Sequence, residues 1–206
     1  RGRGSFNSEI EALFNECEKI HDVNLRVAIS SLFEDYHRLE QREKELSEKI
    51  EALNKDNELV KIALTCPGVG SLTASAIVAE VGDASQFRNG REMAAWNGVV
   101  PSQHSTGGRS TLGGITKTGN RYLRALLAQC ASAVIQNASM HLEQGKDTHL
   151  DRFALRLKLN GKPAKKIMIA VANKIIRILW AMLTQRKTFE NKAEETSDTS
   201  AELKLA

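Results

Sequence analysis

Gly98-Val99-Val100-Pro101-Ser102-Gln103-His104-Ser105-Thr106-Gly107-Gly108-Arg109-Ser110-Thr111-Leu112-Gly113-Gly114-Ile115-Thr116-Lys117-Thr118-Gly119-Asn120-Arg121-Tyr122-Leu123-Arg124 is the stretch around which the chain is organised. Between Pro101 and Leu112 it holds no bulky apolar residue, so it adds little to a core and reads as a loop, 101–118. The loop leads into a helix whose first turns carry Arg121 and Arg124. Glycines let backbone amides approach an anion closely, a helix N-terminus adds its positive end, and arginines supply charge and forked donors. Thr106, Gly107, Gly108, Arg109, Lys117, Arg121 and Arg124 are therefore candidate phosphate contacts, and Ser105 is a candidate nucleophile. An ordinary surface loop is the alternative, because Ser/Thr/Gly clusters between helices commonly are that.

Working outward, the composition of the 206-residue chain is 41% hydrophobic and 26% charged, with aromatics at only 5%. Ala, Leu, Ile and Val dominate the apolar set, which favours helices over sheets. The expected fold is all-α: a long coiled-coil helix followed by a compact helical domain. The net charge of +4 fits a nucleic-acid partner, but 25 acidic residues offset 29 basic ones, so distribution decides. Cys17, Cys66 and Cys130 are far apart, which suits reduced thiols in a cytoplasm better than zinc or a disulfide. No apolar run reaches the roughly 18 residues that span a bilayer. The opening Arg1-Gly2-Arg3-Gly4-Ser5 reads as the start of a fragment or processed product.

Upstream of the central stretch, 1–21 reads as a Gly/Arg/Ser lead and a short helix. Leu25, Leu32, Leu39, Leu46, Leu53 and Val60 then recur every seven residues, with Ile29, Tyr36, Glu43, Ile50 and Asn57 between them. That pattern predicts a coiled coil over 22–60, paired most simply with its copy in a homodimer or higher oligomer. An antiparallel return against the first helix is the alternative. Over 62–82, a helix, Pro67-Gly68-Val69-Gly70 and a second helix starting at Ser71 have the order of a helix-hairpin-helix unit. In such a unit the amides at Gly68, Gly70 and Ser71 would meet a DNA phosphate without reading sequence. A tight turn that needs glycine explains the same residues equally well.

Asn89 and Glu92 resemble a capping box that launches a helix closed by Gly98, with Trp96 packed inward. Downstream, one amphipathic helix runs from Arg121 to about Asn137, and 141–148 forms a polar connector. Another helix carries Leu150, Phe153, Leu155 and Leu157. Pro163 opens a final, largely buried helix, on which Lys165, Lys166, Lys174 and Arg177 either extend a basic surface or lie solvated. The helical domain thus covers 61–186, and the acidic, Ser/Thr-rich tail 187–206 is expected to be disordered.

Pro67 to Ala74, Phe87 to Arg91, Ala94 to Gly98, Pro101 to Gly108 and Gly119 to Arg124 together resemble, in the same order, the C-terminal domain of a bacterial insertion-sequence transposase family. It is the family that includes the Piv-type DNA invertases and the bridge-RNA-guided recombinases. The resemblance implies DNA cutting and rejoining, with the serine of the Pro-x-x-x-Ser-x-Gly stretch, Ser105, as nucleophile. It also leaves open a structured guide RNA as partner. In that family a domain like the RuvC resolvases supplies Asp-Glu-Asp-Asp ligands for Mg²⁺ upstream of the coiled coil. That domain has no counterpart in this sequence, and Asp83, Asp147 and Asp151 show no metal-binding spacing. Non-catalytic DNA binding by the helix-hairpin-helix unit is the competing reading.

Overall fold

The computed structural model describes residues 3–17, 22–106 and 109–191, and the chain divides into two compact units, 1–52 and 53–206. In the first, α1 (Arg3–Cys17) already begins at Arg3, where a non-helical lead was expected. Asp22 starts α2 (Val23–Asn54) by accepting from the amides of Asn24 and Leu25 at 2.9 and 3.1 Å. Phe14 of α1 stacks on Phe33 of α2 with ring centroids 4.0 Å apart. The leucine row of α2 stays open: Leu32 is 70% and Leu39 66% exposed, and no described residue of the helix is buried.

The seven-residue pattern overran this helix. It ends at Asn54, about 48 Å from its start at 1.5 Å per residue, and Asn57 is an N-cap, not a seam position. The Asn57 side-chain oxygen accepts from the amides of Leu59 and Val60, which open α3 (Glu58–Leu64). Val60 is 2% exposed, in the core of the second unit. Asparagine favours a cap over a helix interior because its short side chain competes for backbone donors.

The second unit continues with α4 (Ser71–Val81), a 3₁₀ turn (Ala84–Gln86), α5 (Gly90–Trp96), β1 (Pro101–Thr106), β2 (Arg109–Ile115), α6 (Arg121–Glu143), α7 (His149–Leu159) and α8 (Ala164–Gln185). The core is built on α8. Ile167, Val171, Ile175, Leu179 and Met182 recur at three- and four-residue spacing and are buried, against α5, α6, α7 and α3. By length and composition α8 is the one described helix that would cross a bilayer, but this stripe makes it the spine of a protein core. Trp180 ties α8 to the start of α5 by donating from Nε1 to the carbonyls of Ala84 and Phe87, both at 3.1 Å. Phe87 in turn packs on Trp96 at 5.4 Å, as the inward reading of Trp96 required.

The unit is mostly helical, yet the all-α expectation fails at one place. The supposed loop 101–118 contains a two-stranded antiparallel hairpin, β1 with β2. Other boundaries also move. α6 runs on to Glu143 because Ala138 is buried and Leu142 packs with Leu155 of α7. The chain beyond 187 stays on the core as far as Asn191. There the Phe189 amide donates to Thr65 Oγ1 at 2.8 Å, its ring stacks on His149, and Asn191 Nδ2 donates to the Asp147 carbonyl. The rest of the expected disordered tail, 192–206, lies outside the described residues.

Cys66, before the α3–α4 turn, and Cys130, on α6, are buried free thiols. Burial pushes the Cys66 thiol up to about 12, with the neighbouring Cys130 adding to the effect, and burial raises Cys130 as well. Only a thiolate attacks a disulfide reagent. Both thiols should therefore resist an aromatic disulfide at pH 8 and react once denaturant unfolds the domain. Folding favours the protonated thiol, so its stabilisation is complete below the unfolded pKa of about 9.0 and is lost as pH rises towards about 12. Rapid native-state labelling of Cys66 or Cys130, read by mass spectrometry of the labelled peptides, would contradict this.

Candidate functional site

The hairpin pairs Pro101 with Ile115, Gln103 with Leu112, His104 with Thr111, Ser105 with Ser110, and Thr106 with Arg109. Only two residues, Gly107 and Gly108, separate the last pair. They lie outside the described residues, but a Gly-Gly dipeptide between strand-forming Thr and Ser residues is a hairpin signal that the loop reading passed over. The register shifts between Pro101 and Gln103. There the Ser102 hydroxyl donates to the Gly114 carbonyl at 3.0 Å.

Ser105 pairs with Ser110, and Arg109 lies one pair nearer the turn. At about 3.3 Å per residue, Ser105 sits roughly 13 Å along β1 from Pro101. Arg109 and Thr106 are thus gathered at the serine end, and Lys117, Arg121 and Arg124 follow the opposite, basal end.

That base is locked to the end of α5. Gly98 and Gly119 both have positive φ, at 75° and 76°. A Cβ on Gly98 would run into the backbone of Thr118, and one on Gly119 into the Trp96 carbonyl. The Lys117 amide donates to the Gly98 carbonyl at 3.2 Å, and Thr118 Oγ1 to the Ala95 carbonyl at 3.2 Å. Arg124 belongs to this lock, its Nη1 donating to the carbonyls of Thr118 at 2.7 Å, Asn97 at 3.1 Å and Gly119 at 3.3 Å. Its first structural duty is to hold backbone. Arg121 and Lys117 are exposed, while Asn120 caps α6 by accepting from the amides of Tyr122 and Leu123 at 2.8 and 3.3 Å.

The two glycines of the α3–α4 turn separate in role. Gly68 has φ +79, and a Cβ there would lie 2.6 Å from the Cys130 carbonyl and 2.7 Å from Val134 Cγ2, so it is the close contact between turn and α6. Gly70 has space around it and precedes α4 as its N-cap. Gly68→Ala combines strained backbone with a backbone clash and should destabilise the domain by about 2–4 kcal/mol. Gly70→Ala should leave the melting temperature nearly unchanged. Equal melting shifts for the two variants would contradict the separation.

No three His, Cys, Asp or Glu side chains among the described residues converge as metal ligands. Asp151 is 1% exposed, but it completes a capping box with Thr148 at the start of α7 and meets His141 Nδ1 at 3.3 Å. Asp147 is paired with Arg152 at 3.1 Å. At α5, Asn89 caps as expected, whereas the Glu92 carboxylate accepts from the Arg88 amide at 2.7 Å and pairs with its guanidinium, which lowers its pKa. The basic residues that the sequence reading did not unite are Arg91 on α5, Arg156 on α7 and four cations on α8. They share one groove beside the hairpin base.

The two helices joined by a glycine turn and the serine-bearing hairpin fall within a segment that resembles a known domain. Residues 60–145 match the model of the Transposase IS116/IS110/IS902 family, so this segment is similar to a transposase domain of that kind. The chain is 39% identical over 161 residues to a probable family 20 transposase of Pseudomonas aeruginosa, which takes in 78% of this chain and 46% of the relative. It is 36% identical over 163 residues to the transposase for insertion sequence element IS1328 of Yersinia enterocolitica, covering 74% and 46%. It is also 27% identical over 143 residues to the pilin gene-inverting protein of Moraxella bovis, covering 68% and 41%. The chain spans less than half the length of each of these three relatives.

Proposed function

We propose that this chain is the C-terminal part of a DNA transposase or site-specific recombinase that cuts and rejoins DNA through Ser105. The observation that carries the reading is the coincidence of the transposase-family match with the hairpin whose β1 bears Ser105 next to the Gly-Gly connection and Arg109. In the proposed step Ser105 Oγ bonds to phosphorus, its proton passes to a base, and the phosphorus–oxygen bond to the leaving sugar breaks as that oxygen is protonated. The phosphoserine link conserves the bond energy, so attack by another sugar hydroxyl rejoins DNA without ATP. Arg109 neutralises the phosphate under attack, while Lys117 and Arg121, at the basal end of the hairpin, meet phosphates further along the DNA.

The α3–α4 unit acts as a helix-hairpin-helix, meeting a phosphate at the start of α4, while Gly68 keeps the turn seated on α6. The exposed leucine row of α2 pairs as a coiled coil with its copy. Any Mg²⁺ the reaction uses would be held by acidic residues of an upstream domain. A guide RNA remains a proposed partner of the whole protein on family resemblance alone. Covalent trapping tests the reading: after incubation of a longer protein carrying the upstream domain with its DNA, mass spectrometry should find nucleotide mass on the peptide containing Ser105. Absence of any such adduct, with DNA bound, would leave the non-catalytic DNA-binding module as the function.

A further inference from the structure

We propose that the groove between α5, α7, α8 and the base of the hairpin holds an unpaired DNA strand that leads to Ser105. Its volume is about 1310 Å³, beyond the roughly 300–1,000 Å³ of ordinary small-molecule sites. Arg91, Arg156, Lys165, Lys166, Lys174 and Arg177 line it, and no Asp or Glu does so among the described residues. Cations drawn together on three elements repel one another, and a polyanion relieves that repulsion along its length, as a single small anion does not.

The floor chooses between forms of polyanion. Phe153, Ile169, Ile178 and Trp180 give it an apolar surface. A duplex keeps its base faces stacked inside and offers phosphates alone, whereas an unpaired strand offers phosphates to a rim and base faces to a floor. The rim and floor are already joined in this way: Lys174 Nζ lies 4.4 Å and Arg156 Cζ 5.8 Å from the centroid of the Phe153 ring. Trp180 is fixed by its two carbonyl contacts, so it forms a rigid part of that floor. Beside it, α5 presses so closely on α8 that a Cβ on Gly90 would come within 3.0 Å of the Arg177 backbone.

The strand is DNA because of where the groove runs. Pro101, Gly113, Gly114 and Ile115 of the hairpin line one side, which continues into the strand that carries Ser105 roughly 13 Å further on. The destination rests on the proposed serine chemistry, but binding in the groove is measured without it.

The test is fluorescence anisotropy with the 206-residue chain and a labelled oligodeoxythymidylate, a DNA duplex of the same length and an oligouridylate. The oligodeoxythymidylate should bind tightest. Lys166→Glu with Arg177→Glu should weaken it by about tenfold or more and flatten the log-affinity against log-salt slope by about 1.4, two contacts at roughly 0.7 each. The milder Lys166→Gln with Arg177→Gln keeps the test valid if charge reversal disturbs folding. Lys158→Glu, on α7 outside the lining, should change little. Unchanged binding in the groove variants, an equal loss with Lys158→Glu, or preference for duplex or RNA would overturn the proposal. Groove-dependent binding without a Ser105 adduct would keep the groove and sink the nucleophile; an adduct with groove-independent binding would do the reverse.

Discussion

Ser105→Ala, in a longer protein that carries the upstream domain, should bind DNA normally and lose strand cutting and rejoining by a factor on the order of 10⁴ or more, as loss of a serine nucleophile does elsewhere. Removing one hydroxyl from a two-stranded hairpin should shift stability by less than about 1 kcal/mol. The basic residues at the hairpin base and in the groove remain, so affinity has no reason to fall. Ser102 and Thr106 should not take over. Ser102 donates to the Gly114 carbonyl at the basal bulge, three residues from Ser105, and Thr106 is displaced from Ser105 by one residue along β1. A displacement of even about 1 Å at a reacting atom costs on the order of a hundredfold. Gel assays of strand exchange check this. Wild-type exchange by Ser105→Ala, with exchange abolished by Ser102→Ala or Thr106→Ala, would move the nucleophile within the hairpin; activity in all three would reduce the hairpin to a phosphate grip.

Leu39→Asp should convert a self-associating chain to monomer. Leu39 lies mid-way along an exposed leucine row, and in a symmetric pair each copy would bury it. Burial of a leucine is worth roughly 1.5–3 kcal/mol, so two copies lose about 3–6 kcal/mol before the cost of confining two carboxylates is added. That corresponds to a dissociation constant raised by about two to four orders of magnitude. Sedimentation at micromolar concentration reads the change directly. A wild type that already sediments as a monomer would remove the coiled-coil reading and leave the leucines to a different partner.

The helices were legible because their apolar residues recur on one face, and Asn89, Gly98 and Pro163 marked ends that the structure keeps within a residue or two. The failures have separate physical causes. The hairpin was hidden because strands made of Ser, Thr, Gln and Gly lack the alternating apolar signal of a half-buried strand; Gly107-Gly108 was the surviving clue. Asn57 fell on the seven-residue count by coincidence, and only its capping bonds to Leu59 and Val60 reveal the break. Of the candidate phosphate residues, Ser105, Thr106 and Arg109 share one end of the hairpin, while Arg124 is engaged by backbone carbonyls at the other. The groove was invisible in sequence for a different reason. Its cations come from residues 91 to 177 on three helices, and periodicity within one helix cannot tell which cations face a common space.

The lock between Gly98 and Gly119 divides the region into a part that must be inherited together and a part that need not be. Each glycine meets backbone contributed by the other side, so an exchange between related proteins that crosses over between them keeps the fit only if both donors supply the same close contact. The hairpin from Pro101 to Ile115 lies wholly inside the lock, with both of its ends fixed by the same backbone. It can lengthen, shorten or change its tip residues without disturbing the helical scaffold beneath. A lineage can therefore retune how the serine is presented by altering the hairpin alone, and a protein engineer can transplant it as a cassette bounded by those two glycines.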